Sequence, residues 1–234
     1  MTTRTSPQRT RVALREIHET AFRALVATGA DAGRADTAAR QVLDAELHHG
    51  AGVRGLLGDL RRGPWRSDPV PVHEQDRPAL CRVGTGSDSD LLRIGVHLVE
   101  LATARVGAPP AVSAGPLDLD PLVDALLEQA ARLTGTPVAA ATLTRGHAQV
   151  RAATPEGDVG WGGPEVVGDA LPPLLADSVT VFVPDPISTC AGQWQQHQER
   201  KRRRLAAARD GLLVEGCQWE SAHQAARRYL VPER

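Results

Sequence analysis

With 234 residues, 41% of them hydrophobic, and a net charge of −1, the chain can bury a substantial core as one large domain or two small ones. Near-neutral charge argues against a whole-surface attraction to nucleic acid or anionic lipid. No apolar run approaches the roughly 18 residues that span a bilayer, and the opening MTTRTSPQRTR lacks the apolar segment of a signal peptide, so a cytoplasmic location is expected. Aromatic residues are only 3%, which leaves Leu, Val and Ala to build the core. Cys81, Cys190 and Cys217 form no C-x-x-C pair and are expected as buried, reduced thiols.

In chain order, residues 1–11 read as a disordered arm, and a helical unit follows over residues 12–62. Its first helix is expected from Val12 to Thr28, with Leu14, Ile17, Ala21 and Leu25 on one face and Gly29 as its stop. The second runs from Ala32 to His49 on small residues, ending at Gly50, and a third covers Val53 to Leu60. Residues 63–78 carry prolines and mixed charges and read as a linker or surface loop. A central section over residues 79–190 starts with a strand from Ala79 to Val83 and the turn-forming GTGSDSD. A helix from Ser89 to Arg105 is apolar nearly all round, which suits a central position or a subunit interface. Asp120 is placed to cap a helix that opens on Pro121 and closes at Gly135. A hairpin follows, Val138 to Thr144 and His147 to Ala153, then a strand from Val179 to Val183. Helices from Gln193 to Arg209 and from Gln218 to Tyr229 make residues 191–234 a helical tail.

These elements predict an α+β protein: a helical N-terminal unit, a small central mixed or antiparallel sheet with packed helices, and a helical C-terminal tail. The small sheet and the apolar Ser89–Arg105 helix would both be relieved by pairing two copies, so a homodimer is expected.

The stretch VLDAELHHGAGVRGLLGDLRRG, residues 42–63, carries a match by which the segment from Leu14 to Arg62 resembles the helical N-terminal region of the malate/L-lactate dehydrogenase-like oxidoreductases. The resemblance implies a nicotinamide cofactor and 2-oxo or 2-hydroxy acid chemistry. That family's loop holds Ser-His-Gly, whose His is implicated in catalysis; here Val53-Arg54-Gly55 stands in its place. Over most of its length the chain also resembles a bacterial family of uncharacterised proteins. The shared features are Gly115-Pro116-Leu117, Asp210-Gly211, Val214, Trp219 and Leu230-Val231-Pro232.

Four residues are candidates for chemistry: His48, His49, Arg54 and His147. Asp44 and His48 are four apart and share a helix face, as an acid–base pair requires, although a His at a helix C-terminus also complements the helix dipole. No third ligand stands at a recognised metal spacing. Arg54 cannot serve as a base but can grip a carboxylate or phosphate through two parallel hydrogen bonds, so an anionic small molecule is the expected partner. His147 opens a strand after a tight turn, and Trp161 sits among glycines in GDVGWGGPE. GTGSDSD matches neither dinucleotide nor P-loop patterns, so the cofactor is unassigned. The basic run Arg200 to Arg204 has no interleaved aromatics and reads as a solvated face rather than a nucleic-acid surface.

The first functional expectation is a divergent protein of bacterial small-molecule metabolism, enzymatic or accessory, without hydride transfer. The alternatives are an NAD(P)-dependent 2-oxo, 2-hydroxy or imino acid oxidoreductase, and a non-catalytic partner subunit of a neighbouring enzyme.

Overall fold

The computed structural model describes residues 8–65, 73–77, 80–84, 90–104, 111–184, 187 and 191–230. The chain divides into two compact units, one formed by residues 1–66 with 201–234 and the other by residues 67–200.

In the first unit, α1 (Leu14–Ala27) buries Ile17, Ala21 and Leu25 of the expected face together with Ala24, while Leu14 is half-buried. α2 (Ala32–His49) starts where the Asp31 carboxylate accepts the Arg34 N–H at 2.9 Å and stops at Gly50, whose φ of 61° is left-handed. Ala35, Ala38, Ala39 and Ala45 are all buried, and such small side chains let α1 pack closely on α2. α3 (Gly52–Arg61) begins in direct contact with α2: a Cβ on Gly52 would lie 1.8 Å from the Val42 carbonyl oxygen. α7 (Gly216–Arg227) packs on α1 and α3. A two-stranded antiparallel ribbon joins the chain's ends, β1 (Arg9–Val12) pairing with β10 (Leu212–Glu215).

Among the described residues, the second unit is built on one mixed sheet of eight strands. In chain order they are β2 (His73–Arg77), β3 (Leu80–Gly84), β4 (Ala111–Gly115), β5 (Val138–Thr144), β6 (His147–Ala153), β7 (Val159–Gly162), β8 (Val179–Phe182) and β9 (Gln193–Gln195). Their spatial order is β2-β3-β4-β8-β5-β6-β7-β9, antiparallel except for β3 and β4. A parallel pair needs a crossover, and α4 (Leu91–Ala104) lies within the segment joining those two strands. α4 and α5 (Asp124–Thr134) contribute Leu98 and Leu127 to a core with Val112, Val138 and Val181. A second cluster gathers Phe182, Val150, Ala139, Ala141 and Val166, with Trp194 packed against it. α6 (His197–Asp210) runs from the second unit into the first.

The α+β class, the helical start and the hairpin agree with the expectation, and α2, β5 and β6 do so to the residue. Several elements differ. Residues 9–11 of the expected arm are part of β1, and residues 73–77 of the expected linker form β2. β4 and β7 are further strands, and the sheet is large rather than small. In the expected helical tail, β9 and β10 interrupt the helices, and residues 201–234 join the N-terminal unit. These strands have three to five residues each, too few for a clear alternation, and β1, β4, β9 and β10 are held by partners distant in sequence, which local periodicity does not reveal. The apolar α4 is covered inside the second unit's own core. Both reasons for expecting a homodimer are therefore met within one chain. Most of the GTGSDSD turn, residues 85–89, and Cys190 lie outside the described residues. Cys81 is buried as expected, whereas Cys217 is exposed at the start of α7.

Candidate functional site

Three of the four candidates lie on the helix ends that flank the junction of α2 and α3, in the first unit. Only Gly50 and Ala51 separate the two helices. Glu46, buried on α2, accepts the backbone N–H of Val53 at 2.9 Å and so caps the following helix with a carboxylate. With Gly52 pressed on the Val42 carbonyl, this makes the junction tight and fixed in direction. His48 is buried, at 8% exposure, with its Nε2 3.5 Å from the Asp44 carboxylate. The expected i,i+4 pair therefore exists, but inside the protein rather than at an open helix end. His49 is half-buried and Arg54 is exposed on the first turn of α3. Of the three, Arg54 is the group presented to solvent. His147 lies in the second unit, exposed at the hairpin turn and opposite Thr144.

The second unit contains a polar cluster that sequence reading did not assemble. Asp124, fully buried at the start of α5, receives two hydrogen bonds from Arg151 on β6, Nε to Oδ1 at 2.5 Å and Nη2 to Oδ2 at 2.6 Å. The Arg151 guanidinium lies 5.5 Å from the Trp161 ring centroid, a cation–π distance. Arg151 and Trp161 are register partners on β6 and β7, so Trp161 belongs to a strand rather than a loop. Asp120 accepts the Leu122 N–H at 2.9 Å, the expected cap. Burial pushes its carboxyl up to about 6, against the opposing pull of the Leu122 amide and the Arg151 guanidinium. In the sequence the Asp120 cap and a charged residue, Arg151, next to the apolar Val150, Ala152 and Ala153 were the signals of this cluster.

The basic run on α6 begins in a further polar group. The His197 N–H donates to the Asp158 carboxylate at 2.7 Å, capping the helix. Buried Arg200 pairs with Glu128 at 2.9 Å and also donates to Gln195 at 3.3 Å. Residues 201–204 are exposed, the solvated face expected of them.

Among the described residues, no three His, Cys, Asp or Glu side chains come together to hold a metal ion. No described helix is long and apolar enough to cross a membrane. A glycine-rich phosphate-binding loop presents open backbone N–H groups, and the glycines around Trp161 do not fit that role. A Cβ on Gly160 would fall 2.5 Å from the Trp194 ring, and the Gly163 N–H already donates to Glu165 at 2.8 Å. The chain's own side chains fill that space, and no residue is assigned to the nicotinamide.

Comparison with solved structures places the fold. The dehydrogenase from Sinorhizobium meliloti superposes with a TM-score of 0.68 at 13% identity, covering 94% of this chain and 100% of that one. The malate dehydrogenase from Pyrococcus horikoshii OT3 gives 0.65 at 12% identity, with 100% of each chain covered. That from Entamoeba histolytica gives 0.64 at 9% identity, over 97% of this chain and 99% of the other. The chain thus shares the fold of malate dehydrogenase-like oxidoreductases, in keeping with the resemblance at its N-terminus. No family model matches it, and no curated protein matches it in sequence.

Proposed function

We propose that the chain serves the metabolism of small 2-hydroxy, 2-oxo or imino acids and works as an oxidoreductase. The observation that carries this reading is the dehydrogenase fold, matched along nearly the whole chain rather than over the N-terminal helices alone. The α2–α3 junction supports the ligand class. Exposed Arg54 offers a two-pronged guanidinium to a carboxylate, and half-buried His49, near the same helix junction, offers a group able to carry a proton.

The same junction favours a second reading, in which the ligand is bound but no hydride moves. Arg54 stands where the relatives implied by the resemblance keep a His, and arginine holds its proton at any ordinary pH. Two measurements on the full chain separate the readings: fluorescence titration with NADH and NADPH, and turnover of pyruvate and oxaloacetate. Micromolar nicotinamide binding with turnover supports the oxidoreductase. Carboxylate binding without nicotinamide binding supports the second reading, and the absence of both overturns the two together. If Arg54 holds the carboxylate, Arg54→Ala weakens 2-oxo acid binding about tenfold or more, the loss of a charge-assisted hydrogen bond. It should leave the melting temperature nearly unchanged, since exposed substitutions stay within about 0.5 kcal/mol.

A further inference from the structure

The first unit carries a cavity that the dehydrogenase reading does not use. It lies between the C-terminal end of α1, the segment after α3 and the end of α7, with a volume of about 750 Å³. That is within the roughly 300–1,000 Å³ typical of small-molecule sites. Val26, Ala27, Leu60, Trp65, Arg228 and Tyr229 line it.

Its wall is held in place by the protein itself. The Trp65 indole Nε1 donates to the buried Asp59 carboxylate at 2.8 Å, and its backbone N–H donates to the Thr28 carbonyl at 2.7 Å. The Arg34 guanidinium lies 5.0 Å from the Trp65 ring centroid. Gly29, with φ at +99°, permits this approach, since a Cβ there would stand 2.9 Å from the Trp65 carbonyl oxygen. A site fixed in advance loses little conformational entropy when it binds. At its rim the requirements are reversed. Arg228 and Tyr229 are exposed, and among the described residues neither side chain has a hydrogen-bond or ion-pair partner.

We propose that this cavity is a binding site, distinct from the α2–α3 junction, for a small monocarboxylate bearing an apolar or aromatic group. The apolar part rests on Val26, Ala27, Leu60 and Trp65. The carboxylate turns outward to the Arg228 guanidinium and the Tyr229 hydroxyl, both of which donate to it. A cationic ligand is repelled by Arg228. A second carboxylate would have to enter the apolar wall unpaired, which is strongly unfavourable.

The test uses the full chain, 3-phenylpropanoate and its neutral amide, followed by the Trp65 indole N–H resonance. Trp65→Phe identifies that resonance. The acid should shift it saturably, and the amide should bind about tenfold more weakly or worse, lacking the charged hydrogen bond. Arg228→Gln should bring the acid down to the level of the amide, and Ala27→Trp, which fills the cavity, should abolish both. Arg228 is exposed, and an otherwise unchanged spectrum confirms that each variant folds. The proposal is overturned if millimolar acid leaves the Trp65 resonance in place, if acid and amide bind equally, or if Arg228→Gln binds like the parent. Neither probe is a 2-oxo or 2-hydroxy acid, so the outcome is independent of the dehydrogenase reading.

Discussion

Among individual residues, the pair Asp124–Arg151 and the nearby Asp120 carry the clearest consequences. Asp124 is fully buried, and Arg151 donates two short hydrogen bonds to it. Arg151→Met leaves a buried carboxylate without that partner and should destabilise the second unit by about 3–5 kcal/mol in urea melts. A loss below 1 kcal/mol would show that Asp124 finds another donor or takes up a proton. Asp120 behaves oppositely, because burial raises its carboxyl from 3.8 to about 6. Between those values the folded chain binds a proton that the unfolded chain has released, so stability falls as pH rises through this window. A shift of about two units corresponds to about 3 kcal/mol at most, and less for a half-buried group. Asn caps a helix as well as Asp, so Asp120→Asn should match the parent near pH 4 and exceed it by about 1–2 kcal/mol at pH 8. Thermal melts at the two values check this, and equal stability at both would mean that the carboxyl titrates normally.

At the level of elements, two glycines of one helix should respond in opposite directions. Gly58, in the interior of α3, has nothing within 4 Å of a Cβ, and Gly58→Ala should stabilise by about 0.5–1 kcal/mol through helix propensity. Gly52, at its first turn, would place a Cβ 1.8 Å from the Val42 carbonyl oxygen, with the Glu46 amide nitrogen at 2.7 Å. Backbone cannot yield as a side-chain tip does, so Gly52→Ala should force α2 and α3 apart and cost about 3 kcal/mol or more. Denaturant titration of the two variants side by side decides, and a neutral Gly52→Ala would contradict the tight junction. The sequence shows that Gly50 ends α2 and that α3 follows at once, since both rest on local punctuation. It does not show that Gly52 is there for contact rather than for a turn. The candidate site divides in the same way. Spacing places Asp44 and His48 on one face of α2, but their burial depends on what packs over that face. Arg151 and Trp161 meet only because β6 and β7 pair, and β7, at four residues, is too short to read from its own pattern.

For the molecule as a whole, the make-up of each unit depends on pairing between distant segments. The apolar α4 and the large sheet remove the need for a second copy, so association is a separate measurement. Light scattering at twice the 24.9 kDa chain mass would support the homodimer expected from the sequence. The first unit is assembled from both ends of the chain, and β1 with β10 is the ribbon that ties them. Thr10 stands opposite Val214 and Arg11 opposite Leu213, while Val12 and Val214 are each 1% exposed. Removing residues 1–12 therefore takes away a four-residue strand and one buried valine, and leaves β10 without its partner. Burial of that valine alone is worth about 1.5–3 kcal/mol, a large share of a small unit's stability. Hydrogen exchange on the shortened chain should speed up in β10, α1 and α7, the elements that β1 and its partner hold together. Protection in β5, β8 and α5 should be unchanged, because their core is built within residues 67–200. Faster exchange in both units to the same degree would show instead that the chain opens as one cooperative body.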